Sequence, residues 1–220
     1  MKDDLMPRRC FGPEIWVAGV AMHLALLAGL KYAPTAFSDT GAPMEFQRIM
    51  YFHVPSAWVA FLAFFVTFIA SIAVLAKRSM WWDSVATASA EIGILFCTMA
   101  LISGSIWGKA AWNLWWVWDA RLTTTFILWL IYASYVILRM STPSSERSAR
   151  FGAVYATIGF VSVPLTYISV NYGEGMHPKS AGLEPKMLQT LLFCIGAFTV
   201  LYFAFLRARF RVEQLRRAAQ

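Results

Sequence analysis

Apolar residues fall along this chain in six long runs, at residues 15–33, 52–76, 85–106, 123–138, 151–172 and 187–206, separated by shorter segments that carry most of the charge. Most of the runs reach the roughly 20 residues that a helix needs to cross the hydrocarbon of a bilayer. The pattern predicts an all-α integral membrane protein of six transmembrane helices with a Trp-rich extracytoplasmic interfacial segment. The fourth run is the shortest, and the tryptophan-rich segment before it is apolar enough to shift its boundary by several residues. No repeat, low-complexity tract or Pro/Gly/Ser-rich linker divides the sequence, so residues 1–220 read as a single membrane domain.

Composition agrees, since 59% hydrophobic and 14% charged residues lie well outside the balance of soluble domains. An even number of spans puts both termini on one side, and the cationic residues choose that side. Of the 19 Lys and Arg, six (Lys31, Arg48, Lys109, Arg121, Lys179 and Lys186) lie opposite the termini and the other thirteen lie with them. Both termini are therefore expected in the cytoplasm, with loops 31–51, 107–120 and 171–186 sharing one extracytoplasmic surface. The net charge of +7 is accounted for by this bias and calls for no nucleic-acid partner. The first run is long and lacks a small-residue cleavage site after it, so it is expected to stay as a span. The cytoplasmic connections hold no glycine-rich phosphate cradle, so the chain is not expected to hydrolyse ATP unaided. Cys10, Cys97 and Cys194 form neither a Cys-x-x-Cys pair nor a c-type haem attachment motif.

The candidate chemistry lies between residues 107 and 121, where Trp107, Trp112, Trp115, Trp116 and Trp118 stand with Lys109, Asp119 and Arg121. Membrane interfaces routinely anchor on tryptophan, but an anchor needs only one or two. Indoles give broad apolar faces with an N–H that can still reach a partner, which suits a large planar ligand with a wet edge. If the segment is helical, Trp112, Trp115, Trp116 and Asp119 share a face at i, i+3, i+4 and i+7. Lys109 or Arg121 is then available to an anionic edge group. Asp119 can equally cap or pair near the start of the fourth span.

Two of the three histidines flank this platform. His53 sits in His-Val-Pro-Ser just outside or at the start of the second span, and His177 lies in the third outer loop among Gly173, Gly175 and Pro178. Haem fits such a platform, with His53 and His177 as axial ligands. His23, inside the first span, is expected to pack or to bond a neighbouring helix. Glu91, inside the third span, needs a buried partner that the sequence does not name. Tyr51, Tyr167 and Tyr172 read as belt residues.

The segment from Ser103 to Thr123, SGSIWGKAAWNLWWVWDARLT, resembles the WWD signature of haem-handling membrane proteins, and QRIMYFHVPSAW from Gln47 to Trp58 resembles the first histidine segment of the CcmC family. The Trp-rich motif is shared with the related CcmF and CcsA proteins, while length and six-span topology are similar to those of CcmC. From residue 163 to 180 the chain departs from the pattern, carrying Asn171 to Met176 where the family usually has a Trp pair. The resemblance implies a multi-pass protein of the bacterial inner membrane that binds haem b non-covalently and transiently through the WWD loop, His53 and His177. It further implies a non-enzymatic subunit that loads the haem chaperone CcmE, working with the transporter subunits CcmA and CcmB and the small protein CcmD. Three other readings stand beside it: a CcsA-like synthase component, a cytochrome subunit with histidines in facing spans, where only His23 is placed, and a non-haem channel or transporter whose Trp loop merely anchors it.

Overall fold

The computed structural model describes residues 12–37, 40–142, 145–169 and 182–218. Six stretches of helix are long and apolar enough to cross a membrane: Pro13–Tyr32, Glu45–Lys77, Met80–Trp112, Ala120–Ser141, Glu146–Ile168 and Pro185–Ala218. The protein is thus an all-α, six-span membrane protein, with no strand among the described residues beyond one isolated bridge between Phe37 and Pro43.

The helices are α1 (Pro13–Leu27), α2 (Met50–Lys77), α3 (Met80–Trp112), α4 (Ala120–Ser141), α5 (Glu146–Gly159), α6 (Ser162–Ile168) and α7 (Pro185–Ala218). A π turn, Ala28–Tyr32, prolongs α1, and a 3-10 turn, Glu45–Ile49, leads into α2. The fifth apolar run is therefore two helices, broken after Gly159 and restarted with Ser162 bonding back to the Gly159 carbonyl at 2.6 Å.

α2 and α3 form an antiparallel hairpin through Arg78, whose φ of 50° ends α2 in the left-handed region. Lipid is as apolar as leucine, so such helices associate through close packing and internal hydrogen bonds. Both are present. Gly93 lets α3 press against Phe64, where an added Cβ would lie 2.5 Å from its ring. Phe64 in turn stacks on Tyr132 of α4 at 3.8 Å. Ser89 of α3 bonds the Ala63 carbonyl of α2 and the Tyr202 hydroxyl of α7, each at 2.8 Å. Trp129 of α4 donates to Thr98 of α3 at 2.8 Å. α1 packs mainly on α7 and leaves Trp16 79% exposed on the lipid-facing side.

Several helices outrun their apolar runs. α7 continues to Ala218 because residues after Leu206 are good helix formers, with Glu213 bonded to both Arg209 and Arg217 one turn away on either side. That extension supplies the partner Glu91 required: Arg209 clamps its carboxylate through two nitrogens, the Nη2 contact at 2.7 Å. Nearby, buried Asp83 accepts from Arg139 at 2.6 Å and from Arg217. His23 departs from the expectation of an interhelical contact. It is exposed, and its Nδ1 meets the Gly19 carbonyl of its own helix at 2.9 Å, since nothing among the described residues covers that face of α1.

Candidate ligand-binding site

At the end of the bundle away from the termini, the tryptophan-rich segment is not one helix. α3 stops at Trp112, and Asn113, with φ of 59°, caps it in the left-handed region. Lys109 reaches forward to the Asn113 carbonyl at 3.3 Å and to its side-chain oxygen, a cation at the negative end of the helix. Asp119 then opens α4, its Oδ1 accepting from the Leu122 N–H at 2.8 Å. The shared helical face expected for Trp112, Trp115, Trp116 and Asp119 is therefore not formed, because a C-cap and an N-cap interrupt it. The chain reverses through residues 113–119 instead, and the same residues converge by that reversal.

They converge on a cavity of about 960 Å³, counting its open mouth. His53, Ala57 and Phe61 of α2 form one wall; Gly104, Trp107, Gly108 and Trp112 of α3 form another. Trp115 and Trp116 of the reversal close it with Asp119, Arg121 and Leu122. His53 is the fourth residue of α2, inside the helix rather than ahead of it, since the 3-10 turn before Met50 lets helical winding begin earlier than Pro55 implies.

Polar groups in this cavity are few and particular. His53 Nδ1 lies 3.1 Å from Ser103 Oγ, and its ring meets Trp107 edge-on with centroids 5.6 Å apart. Trp116 Nε1 and Asp119 Oδ2 are buried with no hydrogen-bond partner. Leaving such atoms unpaired costs about 1–3 kcal/mol each, so a site that keeps two beside a cavity is suited to a ligand that completes them. Asp119 thus has one oxygen on the helix cap and the other without a partner. Arg121, on the first turn of α4, lies within electrostatic reach of Asp119 and Tyr167.

Two of the residues singled out by sequence do not line this cavity. Lys109 is turned to the α3 cap. Trp118, 70% exposed, packs edge-on against Trp116 at 5.5 Å and lines a second, apolar groove with Leu101, Ile102, Ile106 and Phe126. His177, like Tyr172, lies outside the described residues. Conversely, Ser103 and Gly104 touch His53 and were not singled out, although both belong to the segment that carries the WWD resemblance. Small residues at 104 and 108, one turn apart on α3, were the available signal.

The sequence profile described as Heme exporter protein C matches residues 6–220. The chain belongs to the CcmC family. Among CcmC relatives, Heme exporter protein C of Bradyrhizobium diazoefficiens is 35% identical over 212 residues, covering 91% of this chain and 81% of that protein. The Escherichia coli K12 protein of the same name is 32% identical over 202 residues, covering 87% and 78%. The Rhodobacter capsulatus one is 31% identical over 209 residues, covering 90% and 85%. Membership thus spans nearly all of the chain, including every helix of the CcmC fold described above.

Proposed function

We propose that this protein holds haem in the cavity between His53 and the Trp115–Trp116 wall and hands it to a haem chaperone during cytochrome c maturation. The supporting observation is the meeting, in one apolar cavity, of a histidine from α2 with indoles from α3 and the reversal, around two buried polar atoms without partners. In this reading the indole faces hold the macrocycle and His53 offers an imidazole nitrogen to iron. Arg121 steers an anionic propionate through charge-assisted bonds. His177, outside the described residues, would be a second ligand to the iron. Trp118 and Lys109 act indirectly, the first by backing Trp116 and the second by fixing the end of α3.

In this reading the cavity lies on the extracytoplasmic side of a bacterial inner membrane with the termini in the cytoplasm, an orientation that the cationic bias supports. The protein then acts as a transfer subunit without catalysis of its own. CcmA and CcmB supply ATP-driven work, CcmD assists, and CcmE receives the non-covalently held haem b. The relatives' name, Heme exporter protein C, supports this role.

The test is reconstitution with purified CcmE. Wild-type protein in nanodiscs, loaded with haemin, is expected to show a histidine-ligated visible spectrum and to transfer haem to CcmE. His53→Ala is expected to lose that spectrum and most transfer while inserting normally; His177→Ala is expected to do the same. Undiminished transfer by both variants would remove the proposed site.

A further inference from the structure

We propose that Ser103 and Gly104 are positioning residues for His53. Ser103 fixes the imidazole as its Nδ1–H tautomer, so that Nε2 is the nitrogen that takes iron, and Gly104 provides the space in which the ring sits. This deepens the haem reading above and rests on it.

The tautomer follows from counting protons. The Ser103 hydroxyl has one, and it is engaged by the Met99 carbonyl of its own helix at 2.7 Å, with the Ala100 carbonyl at 3.2 Å on the same side. Toward His53 Nδ1, at 3.1 Å, the oxygen therefore accepts. A neutral imidazole that donates from Nδ1 carries its lone pair on Nε2. Metal-binding histidines generally donate their second ring N–H to an oxygen, which holds the ring's orientation and raises ligand basicity. Ser103 is only 6% exposed, so water does not compete freely for that bond.

The ring's place is set by the same helix. A Cβ on residue 104 would stand 3.0 Å from His53 Cε1, tighter than ordinary contact, and in ordinary contact with Nδ1 at 3.5 Å. On the next turn Trp107 meets the ring edge-on at an interplanar angle of 75°. Residues 103, 104 and 107 of α3 thus give the imidazole a hydrogen bond, a space and an aromatic stop. His23 provides an internal standard: its Nδ1 faces the Gly19 carbonyl, which can only accept, at a site remote from the cavity.

The experiment is long-range ¹⁵N–¹H correlation on ¹⁵N-histidine protein in nanodiscs without haem, under mildly alkaline conditions, followed by haemin titration of the same samples. The three histidines are assigned by single substitution. His53 is expected to show the Nδ1–H pattern of His23. Ser103→Ala is expected to shift His53 toward the Nε2–H pattern and weaken haemin binding by about 10- to 100-fold, the range for groups that support a metal ligand. Ser103→Thr keeps the hydroxyl and restores both. Gly104→Ala alters the visible spectrum of the haem-loaded protein but not the tautomer. An Nε2–H pattern for wild-type His53, or a Ser103→Ala protein unchanged in tautomer and affinity, would overturn the inference. A His53→Ala protein with a wild-type haem spectrum would instead overturn the haem reading and the coordinating role of Nε2, while the haem-free tautomer still reports on Ser103.

Discussion

The two ends of the bundle treat their buried carboxylates differently. At the end near the chain termini, Asp83, Glu91 and Glu213 are each met by guanidinium groups of Arg139, Arg209 or Arg217, so charge is answered by charge from other helices or other turns. At the tryptophan-rich end, Trp116 Nε1 and Asp119 Oδ2 are left without partners beside an apolar cavity. The first arrangement ties α3, α4 and α7 together. The second withholds part of the available stabilisation and leaves it to be supplied by something that enters. A residue in the first end should therefore matter to folding, and a residue in the second to binding.

The largest expected effect comes from Asp83→Ala, which strands the guanidinium group of Arg139 and leaves Arg217 with Glu213 alone. Breaking such a buried pair costs about 3–5 kcal/mol. Thermal unfolding in nanodiscs should fall steeply while haem affinity per folded molecule stays unchanged; equal stability would dissolve the contrast between the ends. Next is the double change Trp115→Ala and Trp116→Ala. Together the lost apolar faces remove about 1.5–3 kcal/mol of burial from the bound state, or roughly 10- to 100-fold in haem affinity. Trp115 is 60% exposed, so folding has little to lose from it. A loss of stability without loss of affinity would assign these indoles to anchoring.

Smaller effects sharpen the division at Asp119. Asp119→Ala removes the α4 cap, worth about 1 kcal/mol, whereas Asp119→Asn keeps it and changes only the group facing the cavity. Haem affinity that follows the Asn variant separates the ligand role from the cap. The smallest effect is expected for Lys109→Ala, about 0.3–1 kcal/mol in stability from the lost cation at the end of α3, with haem binding nearly unchanged.

Much of this division was legible in the residues, but unevenly. The six spans follow directly from the apolar runs, since hydrocarbon thickness dictates their length. Their ends did not, because α3 and α7 continue through residues whose helix is held by caps and ion pairs rather than by hydropathy. Glu91 announced the need for a partner, yet Arg209 lies 118 residues away and only the packing of α3 on α7 identifies it. The tryptophan cluster was visible as a cluster. Its arrangement was not, because the i, i+3, i+4 spacing of Trp112, Trp115 and Trp116 fits a helical face, while Asn113 and Asp119 stop and restart the helix. His53 was found through its Pro-containing neighbourhood. Ser103 and Gly104 are legible only as small residues on α3, a signal that points to no particular ring until His53 is in place.

The central claim is that one cavity brings His53 and the Trp115–Trp116 wall onto a single macrocycle. Electron cryo-microscopy of the haem-loaded protein in nanodiscs tests it most directly. The account predicts density for a porphyrin against Trp115 and Trp116, with the iron joined to His53 through Nε2. Density at the groove lined by Trp118 and Phe126, or iron bound away from His53, would contradict it.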